Sequence, residues 1–279
     1  MITTVREERL LVVSDVHLGN PLYRARRPFL EFLDFAADRN VSVCINGDGV
    51  DVIQTTAGRL TCDLAACSSR FASLSQKGLR VYYVVGNHDA VLEHFLADWG
   101  PLRVVPFLNV LSGEKRIRIE HGHLYDALYV RSPRLYVAVT VLGGLALRIH
   151  PRVFRALTQL NRPLTALGNF GKGLFRKNKS LPACPIPGER IAFLESAGEI
   201  AKRGFDAIIL GHTHHAGEAD LGDGCRYFNT GYWLEAPQYV EIDHGAMRLK
   251  PVFGEDDAAL SGTWSRARGS WARMRRVIV

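Results

Sequence analysis

The chain has 279 residues, of which 47% are hydrophobic and 23% charged, and its formal net charge is +7. This length can bury one large core, or one core with an insertion, and the ordinary composition excludes a fibrous or disordered chain. Five cysteines, an odd number without a CxxC pair, argue against a disulfide framework. They favour a reducing compartment, and we expect a cytoplasmic protein.

The apolar runs indicate neither an export signal nor a membrane span. The first run, residues 10–13, is shorter than the apolar core of a signal peptide. The longest run, residues 135–147, has 13 residues, whereas a straight membrane helix needs about 20. We therefore expect a protein without an export signal or a straight spanning helix.

The positive charge is concentrated in two segments. Ten Lys or Arg and no acidic residue lie between Asp126 and Glu189, and five Arg and no acid lie beyond residue 260. The rest of the chain therefore carries a net negative charge. We expect one domain over 1–279, with a basic and hydrophobic insertion at about 125–187 and a basic tail at about 261–279. Such segments favour phosphates, nucleic acid or an anionic membrane surface as partners.

Five apolar or alternating runs along the chain each end in a polar turn. In chain order these read "RLLVVSDVHLG", "VSVCINGDGVD", "LRVYYVVGNHD", "RIRIEHGH" and "AIILGHTHH". Runs of this kind are typical of buried strands. Seven of the ten histidines fall in these turns, which random scatter does not explain.

Helical patterns separate the strand-like runs. They cover residues 26–39, 60–76, 90–98 and 189–203. Strands that alternate with helices predict an α/β sheet with parallel pairing. Since ligands in such sheets bind beyond the carboxyl ends of the strands, we expect all five polar turns to converge on one edge.

The converging side chains combine carboxylates, imidazoles and one amide. This donor set suits divalent transition metals, and seven donors are too many for one tetrahedral ion. Two ions sharing one carboxylate can lower the pKa of a shared water and hold both ends of an in-line phosphoryl displacement. The predicted ligands are Asp15, His17, Asp48, Asn87, His121, His212 and His214, with Asp48 as the bridge.

Other polar residues in the turns fit supporting roles or substrate contacts. Asp51 either binds the backbone of its own turn or supports the ligands from behind. His123 and His215 fit contacts with substrate or with the ligands better than ligation. A polar loop that happens to contain histidines is the alternative for the "GHTHH" turn by itself.

The ordered motifs "DVH", "GDGVD", "GNHD", "HGH" and "GHTH" resemble the signature of the calcineurin-like metallophosphoesterase family, from Asp15 to His214. The resemblance implies a four-layer α/β/β/α sandwich with two mixed sheets. It also implies two ligand sets that share Asp48: Asp15, His17, Asp48 and His214 for one ion, and Asp48, Asn87, His121 and His212 for the other. His88 would be catalytic by touching the phosphate, with Asp89 orienting its ring.

Within that family the chain resembles the UDP-2,3-diacylglucosamine diphosphatase group of lipid A biosynthesis. The resemblance lies in "SDVHLG", the long insertion after the "HG" motif and "YFNTGYWLEAPQYVEID". The best-known members have Arg at the position of His88 and Asp at the position of His123. The group implies a phosphorylated, lipid-linked substrate. Mn²⁺ is the expected metal, although Fe, Zn and Co also fit.

Three function classes are compatible with these features. A metal-dependent pyrophosphatase of a lipid-linked sugar nucleotide is favoured, with a helical lid that receives acyl chains and contacts the inner face of the cytoplasmic membrane. Arg148 and Arg152 would then contact substrate. In the alternative, the apolar faces of the insertion pack on the core or in a dimer.

A nuclease or nucleotide phosphodiesterase is the second class. The basic residues, however, are interleaved with aliphatic rather than stacking aromatic side chains, so no specific nucleic acid is expected. A non-catalytic binding module ranks last because no ligand is missing.

Overall fold

A computed structural model describes residues 3–20, 26–149, 184–233 and 236–252. The strands in these ranges are β1 Thr4–Arg6, β2 Arg9–Val13, β3 Ser42–Asn46, β4 Val81–Val84, β5 Leu102–Val105, β6 Leu108–Ser112, β7 Lys115–Ile119, β8 Ala207–Leu210, β9 Gly217–Gly222, β10 Cys225–Asn229, β11 Gln238–Asp243 and β12 Ala246–Pro251. They form two six-stranded mixed sheets with the orders β12-β11-β2-β3-β4-β5 and β1-β6-β7-β8-β10-β9.

Each sheet contains parallel and antiparallel pairs. In the first sheet β2, β3, β4 and β5 are parallel, while β11 is antiparallel to β2 and β12. In the second sheet β7, β8 and β10 are parallel, and β6 and β9 pair antiparallel with β7 and β10. The predicted α/β fold with two mixed sheets is therefore confirmed.

Five α-helices and two 3₁₀ turns connect the strands in the described part of the chain. The helices are α1 Arg26–Asp38, α2 Ala57–Gln76, α3 Ala127–Arg131, α4 Pro133–Ile149 and α5 Ile191–Ala201. The helix predicted over 90–98 is instead the 3₁₀ turn Ala90–Phe95, and none of its residues is buried. A helix without a packed face has little to stabilise it, which explains the shorter element.

The central strands bury both of their faces, which gives the four layers. Along β2, Leu10 and Val12 face the core between the sheets, and Leu11 and Val13 pack in the core that contains α1 and α2. On β8, Ile209 lies in the core between the sheets, whereas Ile208 packs in the outer core with α5. The continuous apolar runs of the sequence reflect this two-sided burial.

The insertion and the tail are only partly within the described residues. The insertion is described at 125–149 and 184–187, and the tail at 261–279 lies outside the described ranges. The proposed domain boundaries therefore stay predictions. All five cysteines are free, which agrees with the absence of a disulfide framework. No helix in the described ranges combines the length and apolarity that a membrane crossing requires.

Asn46 joins the two sheets beneath the polar turns. Its side-chain amide donates to Glu120 O at 3.0 Å and to Ile209 O at 3.4 Å, so the end of β3 is tied to β8 and to the turn after β7. Asn46 is fully buried, and its replacement would leave these carbonyls without that donor.

We predict that Asn46→Ala lowers the free energy of unfolding by about 1–3 kcal/mol, as expected for a lost buried donor. Asn46→Asp should lower it further, because a carboxylate would face two carbonyl oxygens. Urea unfolding measures both, with Gln76→Ala at an exposed helix position as the control. An Asn46→Ala variant as stable as that control would contradict the role of this tie.

Candidate metal centre

The carboxyl ends of five strands bring the predicted ligands into one cleft. Strand β2 leads to Asp15 and His17, β3 to Asp48, and β4 to Asn87, all from the first sheet. Strands β7 and β8 of the second sheet supply the other ligands, His121, His212 and His214. The five polar turns therefore meet as expected, but at a cleft formed by the strand ends of both sheets rather than at the edge of one sheet.

One group of predicted ligands surrounds Asp15. Its Oδ1 lies 3.2 Å from His214 Nε2 and 4.0 Å from His17 Nε2. His17 Nε2 is also 3.9 Å from Asp48 Oδ2. Atoms at such separations can share one ion, and Asp15, His17 and His214 together have the arrangement of a metal-binding group.

A second group surrounds Asn87. Its Oδ1 lies 3.1 Å from His121 Nε2 and 2.7 Å from His212 Nδ1. His121 Nε2 is 3.3 Å from Asp48 Oδ2. The same oxygen of Asp48 therefore borders both groups, while its Oδ1 accepts a hydrogen bond from His88 N at 2.8 Å. This is the geometry expected of a bridging carboxylate.

Five of the seven predicted ligands have left-handed backbone conformations. The φ angles are 53° at Asp15, 51° at His17, 50° at Asp48, 69° at His212 and 66° at His214. Residues other than glycine seldom adopt this region, and such strain concentrates at functional sites. Backbone hydrogen bonds between the turns, Asp15 N to Gly47 O and His17 N to Asp48 O, hold this conformation.

Two glycines allow the turns to approach each other. A Cβ on Gly86 would lie 2.2 Å from Asp48 Oδ1, and one on Gly47, where φ is +76°, would lie 2.3 Å from Cγ of His121. Any larger residue would displace the bridging carboxylate or a ligand ring. The glycines of the "GDG" and "GNHD" motifs are therefore steric requirements.

Hydrogen bonds outside the cleft fix which atom of each ligand faces inward. His121 Nδ1 lies 2.9 Å from Asn46 O, so Nδ1 donates and Nε2 is presented to the cleft. His212 Nε2 lies 3.1 Å from Asp126 Oδ2, which leaves Nδ1 for the cleft. Asp15 Oδ2 accepts from the Ser14 hydroxyl at 2.5 Å and from His212 N at 3.1 Å, which leaves Oδ1.

The cleft fits divalent cations on two observations. Asp15 Oδ1 and both ring nitrogens of His17 are buried and make no hydrogen bond of good geometry in the described part of the chain, where their neighbours are imidazole and carboxylate atoms at 3.2–4.0 Å. Burying such atoms without hydrogen bonds is costly, and a cation between them would satisfy them. Oxygen and imidazole donors without thiolate are the ligands that divalent transition metals accept.

The pKa shifts indicate the same need for positive charge. Burial alone would raise the pKa of Asp15, but His121 and His214 outweigh it and lower the pKa to about 2. Burial alone would lower the pKa of His121, but the carboxylates of Asp48 and Asp15 raise it to about 10. The buried carboxylates thus stabilise cationic charge beside them, which two divalent ions would supply.

His88 lies at the cleft and is oriented by Asp51. Its Nδ1 is 3.1 Å from Asp51 Oδ1, and its ring centroid is 4.7 Å from that of His17. Burial alone would lower the pKa of His88, but Asp48 and Asp51 raise it to about 9. Asp51 also accepts from Gln54 N at 3.0 Å, so both roles considered for it, binding its own turn and supporting the site, are present.

The prediction that Asp89 orients His88 is wrong. Asp89 is fully buried, and its carboxylate accepts from Gly86 N at 2.6 Å, from Gly49 N at 3.0 Å and from the Tyr83 hydroxyl. It therefore braces the turns that carry Asp48 and Asn87, whereas the carboxylate that accepts a hydrogen bond from the His88 ring is that of Asp51. The prediction relied on Asp89 being next to His88 in the sequence, but the turn after β3 brings Asp51 to the His88 ring instead.

The predicted substrate contacts differ in how far the structure describes them. His123 is buried, its ring lies edge-to-face on Tyr129 at 4.9 Å, and burial and His121 lower its pKa to about 3. His215 is exposed, with its ring against Gly188. Arg148 lies in α4 but its side chain is outside the described part, as is all of Arg152.

Sequence reasoning missed two acidic residues that support the ligands. Asp126 contacts His212 Nε2 and also accepts a hydrogen bond from Arg190 Nη1 at 2.7 Å. Glu189 is buried and accepts 2.9 Å hydrogen bonds from Thr213, Tyr227 and Asn229, which fixes the turn between His212 and His214. The available signal was their position, since they are the acids that border the acid-free segment.

We predict that wild-type protein binds two Mn²⁺ per chain and that Asp48→Asn or Asp48→Ala disrupts both sites and abolishes hydrolysis. The reason is that one carboxylate oxygen borders both ligand groups. Metal analysis after Mn²⁺ loading measures the stoichiometry, with Asp98→Asn at an exposed ion pair as the control. Two ions retained by Asp48→Ala would refute the bridge.

Comparison with known proteins places the chain in a family. The calcineurin-like phosphoesterase family model matches residues 8–216. The UDP-2,3-diacylglucosamine hydrolase of Stutzerimonas stutzeri is 24% identical over 254 residues, covering 87% of this chain and 98% of the relative. The enzyme of the same name from Stenotrophomonas maltophilia is 25% identical over 270 residues, covering 88% and 99%.

Among solved structures, a dimetal phosphatase of Danio rerio matches with a TM-score of 0.45 and 16% identity, covering 87% of this chain and 95% of that one. The family match spans most of the chain and contains every predicted ligand. The chain therefore belongs to the calcineurin-like phosphoesterase family and is a metal-dependent phosphoesterase.

Proposed function

We propose that the protein is a dinuclear-metal pyrophosphatase that cleaves the phosphoanhydride of a UDP-2,3-diacylglucosamine-like lipid-linked sugar nucleotide. The observation that supports a lipid-linked substrate concerns helix α4, which lies beside the cleft. Its polar residues face the protein and its apolar residues face outward. The relatives named for this substrate support the proposal, since their likeness extends over nearly their whole length.

The polar side of α4 faces the protein. Tyr136 and Thr140, one helical turn apart, are half-buried. The Tyr136 hydroxyl accepts a hydrogen bond from Asn87 Nδ2 at 2.7 Å, and Gln54 Nε2 donates to Thr140 O at 2.9 Å. The helix is therefore seated on the turns that follow β3 and β4.

The other side of α4 is apolar and exposed. Its exposed large side chains are Leu135, Val137, Val139, Val141, Leu142 and Leu145. A surface helix normally turns such residues toward a core, so this arrangement is the reverse of the usual one. An apolar surface at the mouth of a phosphate-cleaving site suits acyl chains attached to the substrate.

Membrane contact follows from the same surface. Arg131 and Arg134 are exposed beside the apolar residues of α4, and basic residues flanking an apolar helix favour anionic lipid. We therefore propose a cytoplasmic protein, peripheral on the inner face of the membrane, whose insertion at 125–187 acts as a lid. Arg148 and Arg152 would contact substrate or lipid phosphates there.

The chemistry divides between the ions and the chain. Two divalent ions, for which we propose Mn²⁺, would supply an activated water and neutralise phosphoryl charge. The seven predicted ligands would hold these ions. Asp51 fixes Nδ1 of His88, so that Nε2 donates to a phosphoryl oxygen or to the leaving group.

We predict that His88→Ala keeps both Mn²⁺ ions and lowers kcat by about 10²–10⁴-fold, the usual contribution of a positioned acid or charge-stabilising donor. Metal analysis and steady-state kinetics on the same samples measure the two effects. His94→Ala, at an exposed position, is the matched control. Loss of a metal ion from His88→Ala would make His88 a ligand instead.

The substrate assignment predicts a large preference for the acylated compound. The Mn²⁺-loaded protein should cleave UDP-2,3-diacylglucosamine, and removal of both acyl chains should cost most of kcat/KM, because the apolar surface of α4 would lose its contact. Assays with the acylated compound, the deacylated compound and a plain nucleotide diester measure this. Equal cleavage of the diester would favour the nucleotide phosphodiesterase instead.

A further inference from the structure

A hydroxyl of the insertion contacts a predicted metal ligand directly. The Asn87 amide has two ends: Oδ1 lies in the cleft beside His121 and His212, and Nδ2 donates to the Tyr136 hydroxyl at 2.7 Å. Tyr136 belongs to α4 and therefore to the segment that we expect to cover the site. Asn87 itself follows β4 in the core of the fold.

The orientation of an amide decides whether it can ligate. Only the oxygen of an amide can bind a cation, and rotation of the group by half a turn would place the NH₂ there instead. A hydroxyl on the far side of the amide fixes the plane of the group, and it accepts from the NH₂ when the oxygen faces a cation. The phenol of Tyr136 is such a hydroxyl, and it is half-buried, with its ring 5.3 Å from that of Tyr129.

We propose that Tyr136 is a positioning residue for the metal centre: its hydroxyl holds the Asn87 amide with Oδ1 toward the second ion. The seated insertion helix α4 then completes the ligand set formed by Asp48, Asn87, His121 and His212. The proposal rests on the proposed dinuclear site. It has the consequence that anything that lifts α4, such as an entering acyl chain, alters the affinity for one metal ion.

Calorimetric titration of metal-free protein with Mn²⁺ tests the proposal. Tyr136→Phe should weaken binding at one of two sites by about tenfold, as expected when a partner that orients a ligand is lost, and leave the other unchanged. Tyr82→Phe is the matched control, because it removes a phenol that donates to Glu7 and lies away from the ligands. Binding of Mn²⁺ is measured without substrate, so the readout does not depend on activity.

A double-mutant cycle separates orientation from general loosening of the fold. In Asn87→Asp the side chain has two equivalent oxygens, so either end can ligate and Tyr136→Phe should weaken Mn²⁺ binding less than it does beside Asn87. A weakening of both sites, or an effect of equal size in Asn87→Asp, would overturn the positioning role. An unchanged isotherm for Tyr136→Phe would overturn it too, whereas wild-type protein that fails to bind two ions would overturn the dinuclear site itself.

Discussion

Two fully buried carboxylates, Asp15 and Asp48, place the constraint on which the rest of the cleft depends. Negative charge removed from water is stable only beside positive charge or hydrogen-bond donors. Asp15 Oδ2 and Asp48 Oδ1 each have hydrogen-bond donors, but Asp15 Oδ1 and Asp48 Oδ2 face only imidazole nitrogens within ion-pair distance in the described ranges. Cations between the ligand groups would complete the pairing.

The fold meets this constraint with backbone geometry as well as with side chains. Five predicted ligands sit at left-handed φ angles directly after strands, where parallel neighbours lie side by side. Rigid, doubly buried strands can hold such strained turns, since each is fixed by hydrogen bonds to a neighbouring turn. The long insertion enters at the turn after β7, so its helix α4 reaches the cleft and presents polar groups there.

The strands and the convergence of the polar side chains were predictable because both have local signals, while the ligand roles stay predictions. Five apolar or alternating runs each end in a polar turn. This pattern indicates the strands, the sheet edge at which they end and the side chains that meet there. Asp126 and Glu189 were not predictable in this way, because their partners are distant in sequence and carry no motif. The same limitation explains the error at Asp89: the carboxylate that orients His88 comes from 37 positions earlier, at Asp51. The outward orientation of the apolar side of α4 was likewise not predictable, since the spacing of apolar residues does not show which side of a helix faces the protein.

The central claim is that one carboxylate, Asp48, joins two metal ions. Electron paramagnetic resonance of the Mn²⁺-loaded protein tests it most directly, because ions that share a bridging ligand are magnetically coupled. We predict the multiline spectrum of a coupled dimanganese pair at two Mn²⁺ per chain. Six-line signals from isolated Mn²⁺ ions at that stoichiometry would contradict the account.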